Sequence, residues 1–289
     1  MPSSDDATRK LRSGSREPLL RVEGLSVQFP VKQGLLRRTV GQVHALDGVD
    51  LRVLRGQTLA VVGEAGAGKT TLARSIMGQL TPHAGKVLFE SKDLLGSSKA
   101  ELRLALRQIQ LLTHQQLAGP EPVGSFGGVE TRLLILDEVV DALDAVAQLR
   151  LFDELRGLQD ERGLTCLLLT RSLQLAGALA DELVVLHAGQ VVETGAPASL
   201  LNQPHHPYTR LLLDPTPRAA AAPSVPPDSG ERLSAGCRFW ARCPQAFARC
   251  AEEPPVLVAV TGGLSRCFLH DSETDSPAEP HANPHNRPR

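Results

Sequence analysis

Gly63-Glu64-Ala65-Gly66-Ala67-Gly68-Lys69-Thr70 decides how this chain is read. The stretch fits GxxxxGK(S/T); the apolar run Thr58 to Val62 precedes it, and Thr71 to Leu80, of helical character, follows. A strand, a glycine-rich loop and a helix in that order form a cradle for a polyphosphate. Glycines let successive backbone N–H groups turn inward, and the helix N-terminus adds partial positive charge. Lys69 is placed to reach the β- and γ-phosphates, the Thr70 hydroxyl to hold Mg²⁺, and Thr71 to donate to an α-phosphate. The plain alternative, a Gly-rich turn before a helix, is disfavoured because strand, loop and helix are all in place.

Further along, Leu133-Leu-Ile-Leu-Asp137-Glu138 is an apolar strand ending in two carboxylates. Asp137 can hold Mg²⁺ through water, and Glu138 can polarise an attacking water. Alone this pattern is common; beside the phosphate loop it completes a Mg-nucleotide site.

Working outward, Leu19 to Phe29 and Val43 to Val53 alternate apolar and polar residues and predict two half-buried strands. Lys86 to Phe89, Ile109 to Leu112 and Leu164 to Leu169 predict further strands, and Lys99 to Gln108 and Val146 to Leu158 predict helices. Leu183 to Leu186 and Gln190 to Glu193 flank a tight turn, as in a terminal hairpin. Alternating strands and helices imply a parallel sheet covered on both faces. The fold class is α/β: a P-loop NTPase-type sheet flanked by helices, with N-terminal antiparallel strands and a short Cys-containing C-terminal extension.

Composition narrows the partners. The 289 residues carry 31 Lys+Arg against 32 Asp+Glu, a net charge of −1, so no basic field argues for nucleic acid. No apolar stretch approaches the roughly 20 residues of a membrane helix, and MPSSDDATRK lacks the apolar core of a secretory signal. A cytosolic chain is expected, docked on something else. Aromatic residues make up only 3%, so Leu, Val, Ala and Ile must fill the core.

At this point the sequence resembles the ATP-binding subunit of an ABC transporter, more narrowly of the oligopeptide/dipeptide importer family, from about Leu19 to His270. Val43-His-Ala-Leu-Asp-Gly-Val49, Asp137-Glu-Val-Val-Asp-Ala-Leu-Asp144 (similar to Walker B and D-loop) and Gly189-Gln-Val-Val-Glu-Thr-Gly195 carry the likeness. His206-Pro-Tyr-Thr-Arg210, Gly236-Cys-Arg-Phe and Arg242-Cys-Pro resemble the C-terminal extension of the peptide-importer branch. The resemblance implies that Phe29 stacks on adenine, with an ordinary core role as the alternative. It implies a second ATP-binding subunit and transmembrane permease subunits as partners, with peptide met only indirectly. It also implies a peripheral location on the inner face of the cell membrane.

The chain departs from that family in places. The interval from Lys69 to Asp137 is too short for the helical arm that carries the LSGGQ signature; Ser125-Phe-Gly-Gly-Val129 echoes the signature but reads as a loop. Gln115, Gln116 or His114 falls where a Mg²⁺-sensing glutamine is expected. Arg171 stands where the family has a histidine; it can neutralise phosphate charge but cannot relay a proton near neutral pH, and its simpler reading is a surface arginine at a helix start. Asp141 replaces a small D-loop residue.

Cys237, Cys243, Cys250 and Cys267 crowd the C-terminal part, with arginines between them. In a cytosolic chain such a cluster predicts Zn²⁺ or an iron–sulfur cluster, with free buried thiols as the alternative; His270 is a substitute ligand or, on the simpler reading, a surface histidine. Cys166, within an apolar strand, is read as core. The domains expected are a disordered leader (1–17), an ABC-type nucleotide-binding domain (18–212) with its helical subdomain largely deleted around 114–131, a Pro/Ala linker (213–236), a Cys-containing extension (237–270) and a disordered tail (271–289). The expected function is an ABC-type ATPase that binds Mg-ATP to drive peptide import. The alternative is a catalytically degenerate relic or regulatory partner of an intact ATPase subunit.

Overall fold

The computed structural model describes residues 17–33, 38–113, 130–214 and 235–271. The expected leader save residue 17, the candidate glutamines Gln115 and Gln116, His114, the Ser125 to Val129 echo, most of the linker and nearly all of the tail lie outside the described residues.

Two sheets share one body. Strands β1 (Pro18–Gln33) and β2 (Arg38–Leu54) pair antiparallel, and β4 (Ala84–Phe89) and β5 (Lys92–Asp93) extend them in the order β2-β1-β4-β5. The main sheet is built on β3 (Thr58–Val62), β6 (Ile109–Thr113), β7 (Leu133–Asp137), β8 (Thr165–Thr170), β9 (Glu182–His187) and β10 (Gln190–Gly195). Its C-terminal strands are β11 (Val258–Val260) and β12 (Gly263–Ser265), and the full order is β11-β12-β10-β9-β3-β8-β7-β6. From β9 to β6 neighbours run parallel, whereas β10, β12 and β11 add antiparallel strands.

The central strands read as unbroken apolar runs because both their faces are covered. Alternation then sorts their side chains. Leu59, Val61, Leu133, Ile135, Leu167 and Leu169 join Leu20, Val22 and Leu72 in a core shared with the small sheet and helix α1 (Lys69–Ile76). Ala60, Val62, Leu134, Leu136, Cys166 and Leu168 face the opposite core.

That second core is closed by α3 (Ala145–Arg162), α4 (Leu173–Leu179), α5 (Pro197–Asn202) and α6 (Pro207–Leu213); α2 (Lys99–Leu106) packs against the first. Cys166 is fully buried, as its apolar surroundings in the sequence predict.

Helix α1 begins two residues before the expected Thr71 and ends before Leu80. Gly68, at φ 110°, makes the turn into it, and Gly78, at φ 65°, accompanies its end. The remaining short helix of the C-terminal part is α7 (Ala248–Glu252). No described helix is long and apolar enough to cross a membrane.

Candidate functional site

The loop between β3 and α1 leaves the carboxyl edge of the parallel strands, where open α/β sheets place their ligands. Gly63 N–H donates to the Thr170 carbonyl at 3.2 Å, tying the loop to the end of β8, and Ala67 N–H donates to Glu64 O at 3.1 Å. The Lys69 ammonium is buried, 3% exposed, and folds back over the loop to donate to Gly63 O at 2.7 Å and Glu64 O at 3.0 Å. Its counter-charge is Glu138, whose Oε1 lies 3.2 Å from Nζ.

Glu138 adopts φ 54°, an uncommon conformation for a bulky residue, and its N–H is held by Leu169 O at 2.9 Å. Strain of this kind collects at functional sites, and nothing in the sequence announces it. Thr70 Oγ1 donates to Asp137 Oδ1 at 3.3 Å, so one hydroxyl and one carboxylate meet at the sheet edge. Burial pushes the Asp137 carboxyl above its usual range, the Thr70 hydrogen bond opposes that rise, and the charge of Glu138 adds to it.

The structure therefore brings Lys69, Thr70, Asp137 and Glu138 together. Gly63 to Gly68 form the loop around them. Phe29 lies on β1 opposite Val43 and is 41% exposed, so it is not a core side chain. Arg171 is exposed. The Asp141 carboxylate accepts from Thr170 Oγ1 at 2.8 Å and from Arg171 N–H at 3.1 Å, so it pins the end of β8.

Two further residues, not expected from sequence as part of the site, hold Glu64. Arg242 donates to Glu64 through both terminal nitrogens, at 2.7 and 2.9 Å, and holds the Glu64 carboxyl below its usual range. The Glu64 N–H donates to Tyr208 Oη at 2.9 Å. Beneath, the His187 ring packs 4.2 Å from Tyr208 and edge-on to Phe239 at 5.4 Å. Burial keeps the Tyr208 phenol protonated and depresses His187 to about 4.

The cysteine expectation is corrected. Cys237, Cys243, Cys250 and Cys267 border one small cavity with Phe239 and Trp240. Among the described residues, no group of three or more His, Cys, Asp or Glu could hold a metal ion, which overturns the predicted Zn²⁺ or iron–sulfur site. Burial raises Cys243 to about 11 and Cys267 to about 12, so these thiols stay protonated and pack as small apolar groups. The His270 ring instead pairs with His205 O at 3.0 Å.

Comparisons with known proteins agree with the geometry. The ABC transporter family profile matches residues 46–154, and that of the oligopeptide/dipeptide transporter C-terminal region matches residues 192–250. The chain is 32% identical to a probable peptide ABC transporter ATP-binding protein of Sinorhizobium fredii, across 86% of this chain and 88% of that one. It is 29% identical to the dipeptide transport ATP-binding protein DppF of Escherichia coli, across 89% and 96%. That alignment runs to 327 positions, more than the whole chain, so the relative contributes positions this chain lacks.

Among solved structures, cbiO1 from Clostridium perfringens aligns with a TM-score of 0.52 at 20% identity, covering 65% of this chain and 92% of that one. An ATP-binding cassette of an ABC transporter in its ADP conformation aligns with a TM-score of 0.51 at 19% identity, covering 65% and 96%. These two likenesses show the fold. Nothing in the comparisons favours a degenerate relic or regulatory partner. Joined to a phosphate loop that meets two acidic side chains at the sheet edge, these relationships place the chain in the peptide/oligopeptide importer family of ABC transporter ATP-binding subunits.

Proposed function

We propose that this subunit binds Mg-ATP between its phosphate loop and the β7 terminus, hydrolyses it, and so drives the import of a peptide through permease subunits. The observation that carries the reading is the convergence of the Lys69 ammonium, the Thr70 hydroxyl and the Asp137 and Glu138 carboxylates.

The residues fit a magnesium ion and a triphosphate. Thr70 and Asp137 supply hard oxygen donors at one point, the ligand type Mg²⁺ prefers, and would hold it. When bound, Mg²⁺ offsets the charge of the phosphate oxygens. Lys69 turns from the loop carbonyls toward the phosphates and neutralises charge that grows during transfer. Glu138 orients the attacking water and takes up its proton. Backbone groups of residues 63–68 surround the phosphates, Thr71 donates to the first phosphate, and Phe29 offers its exposed ring to the base.

Residues 18–212 are the nucleotide-binding unit and 237–270 an extension upon it. The partners are a second ATP-binding subunit, which supplies the signature face, and permease subunits at the inner membrane surface. The peptide specificity follows from relatives named for peptide and dipeptide transport.

The test is binding and turnover of ATP by the purified chain, alone and with its transporter partners. We expect Lys69→Ala to abolish nucleotide binding, and Glu138→Gln to keep binding while losing phosphate release by roughly 10²- to 10³-fold. Wild-type binding without release beside the full transporter would sink the catalytic part of the reading.

A further inference from the structure

We propose that Arg242 of the C-terminal extension and Tyr208 of α6 are positioning residues for the phosphate loop, so that the extension, through Arg242, sets nucleotide affinity from outside the nucleotide-binding unit. This rests on the nucleotide site argued above. Glu64, the second residue of the loop, is gripped from three sides. Its carboxylate accepts the two-pronged fork of Arg242, its N–H donates to Tyr208 Oη, and its carbonyl accepts from Lys69 Nζ. The third partner is the phosphate-binding ammonium itself, so a displaced Glu64 displaces an anchor of Lys69.

Neither positioning residue is free to wander. Tyr208 is fully buried in α6, whose first turn is capped by His206 Nδ1 accepting from Tyr208 N–H at 3.0 Å. The Arg242 side chain is 10% exposed, on the tight turn Trp240–Arg242, with its guanidinium 5.7 Å from the Phe239 ring. Phe239 and Tyr208 are themselves ring partners at 5.4 Å, so the two contacts to Glu64 are mounted on one aromatic block.

The far end of the loop is reached by a second path. Arg238 bonds Ala188 O and Asp47, the next residue Gly189 donates its N–H to Ala67 O at 2.9 Å, and Asp47 N–H returns to Gly189 O at 2.9 Å. Two arginines of the extension thus reach both halves of the cradle.

The physical effect is pre-organisation. A loop already held in one conformation loses less entropy when a nucleotide orders it, and the difference appears as affinity. Arg242 does this without competing for phosphate, because both terminal nitrogens are committed to Glu64. The fork geometry matters, since a lysine supplies a point charge rather than two parallel donors.

The test uses the full chain and two readouts: hydrogen exchange of residues 63–68 in the nucleotide-free protein, and equilibrium binding of a fluorescent ATP analogue with Mg²⁺. For Arg242→Gln we expect loop exchange and the dissociation constant each to rise roughly tenfold, with exchange in β8 unchanged. Arg242→Lys should fall between, and the double exchange Glu64→Arg with Arg242→Glu should restore both readouts. If Arg242→Gln folds poorly, Tyr208→Phe keeps the ring and should speed exchange at the Glu64 amide alone.

Unchanged loop exchange and affinity in Arg242→Gln, beside a Lys69→Ala that binds no nucleotide, would overturn the brace and leave the site standing. An equal rise in the loop and β8 would overturn it too, as mere loss of global stability. A wild-type chain that binds no nucleotide overturns the site and this inference together.

Discussion

Gly66 and Gly68 sit two positions apart in one loop, yet they resist replacement for different reasons. A Cβ at Gly68 would meet the Ala45 carbonyl oxygen at 2.5 Å and Leu46 Cδ2 at 2.9 Å, with φ at +110°. At Gly66 nothing lies within 4 Å, and only a φ of +81° opposes a side chain. We expect Gly66→Ala to cost about 1 kcal/mol and Gly68→Ala roughly 2 to 4 kcal/mol, read by urea unfolding, with nucleotide affinity lost only in the second. Two buried histidines make a separate case. Burial holds His187 at about 4 and His206 at about 3, so both are neutral in the folded chain. An unfolded histidine titrates near 6.5, so below that pH the unfolded chain binds more protons and stability falls as pH drops toward the folded values. The unfolding free energy read from urea titrations should decline through this window by on the order of 1 to 3 kcal/mol per histidine, and His206→Asn, which keeps an acceptor at the helix start, should blunt the decline. Glu64 acts at lower pH: its folded carboxyl titrates below 4.5, so its contribution is complete above that value and disappears as pH falls through the depressed one.

Among the elements, α3 shows how short signals set long segments. Asp144 Oδ1 accepts from Ala147 N–H at 2.8 Å at its start, and Gly163, at φ 64°, closes its end. Asp144→Ala should cost about 1 kcal/mol, measurable as a lower thermal midpoint by circular dichroism. Strand β3 coincides with the apolar run expected at Thr58 to Val62, and β7 and β8 differ from their expected spans only at the edges, because strands buried on both faces have no competing pattern. Helix α4 begins where a helix start is expected beside Arg171, but its span is not legible, since Leu173-Gln-Leu-Ala-Gly-Ala-Leu is short and carries a glycine within it. Strands β11 and β12 were missed as well: each has three residues, and only the pairing of β12 with β10 and of β11 with β12 makes them strands. The site divides in the same way. Lys69 and Thr70 open a periodic segment, Asp137 and Glu138 close one, and all four are legible for that reason, whereas Tyr208 and Arg242 meet Glu64 across 144 and 178 residues of chain. No local spacing can report such a meeting.

At the scale of the molecule, the extension continues the main sheet. Its β12 pairs with β10, Arg266 N–H donates to Val192 O at 2.8 Å, and Phe239 enters the core beside Tyr208. Ending the chain after Leu213 should bare the β10 edge and the cavity left by Phe239. The expected outcome is a lower thermal midpoint with concentration-dependent aggregation, followed by light scattering. Should the truncated chain melt like the intact one and stay monomeric, the extension would have no structural part in the body. The clasp of Glu64 by Arg242 also bears on how the subunit is born. A nascent polypeptide exposes residues 63–70 early in translation but gains their last fastener only once residue 242 has been synthesised and has left the ribosome, so the newborn cradle matures late and ribosome-bound intermediates should capture nucleotide more weakly than released protein.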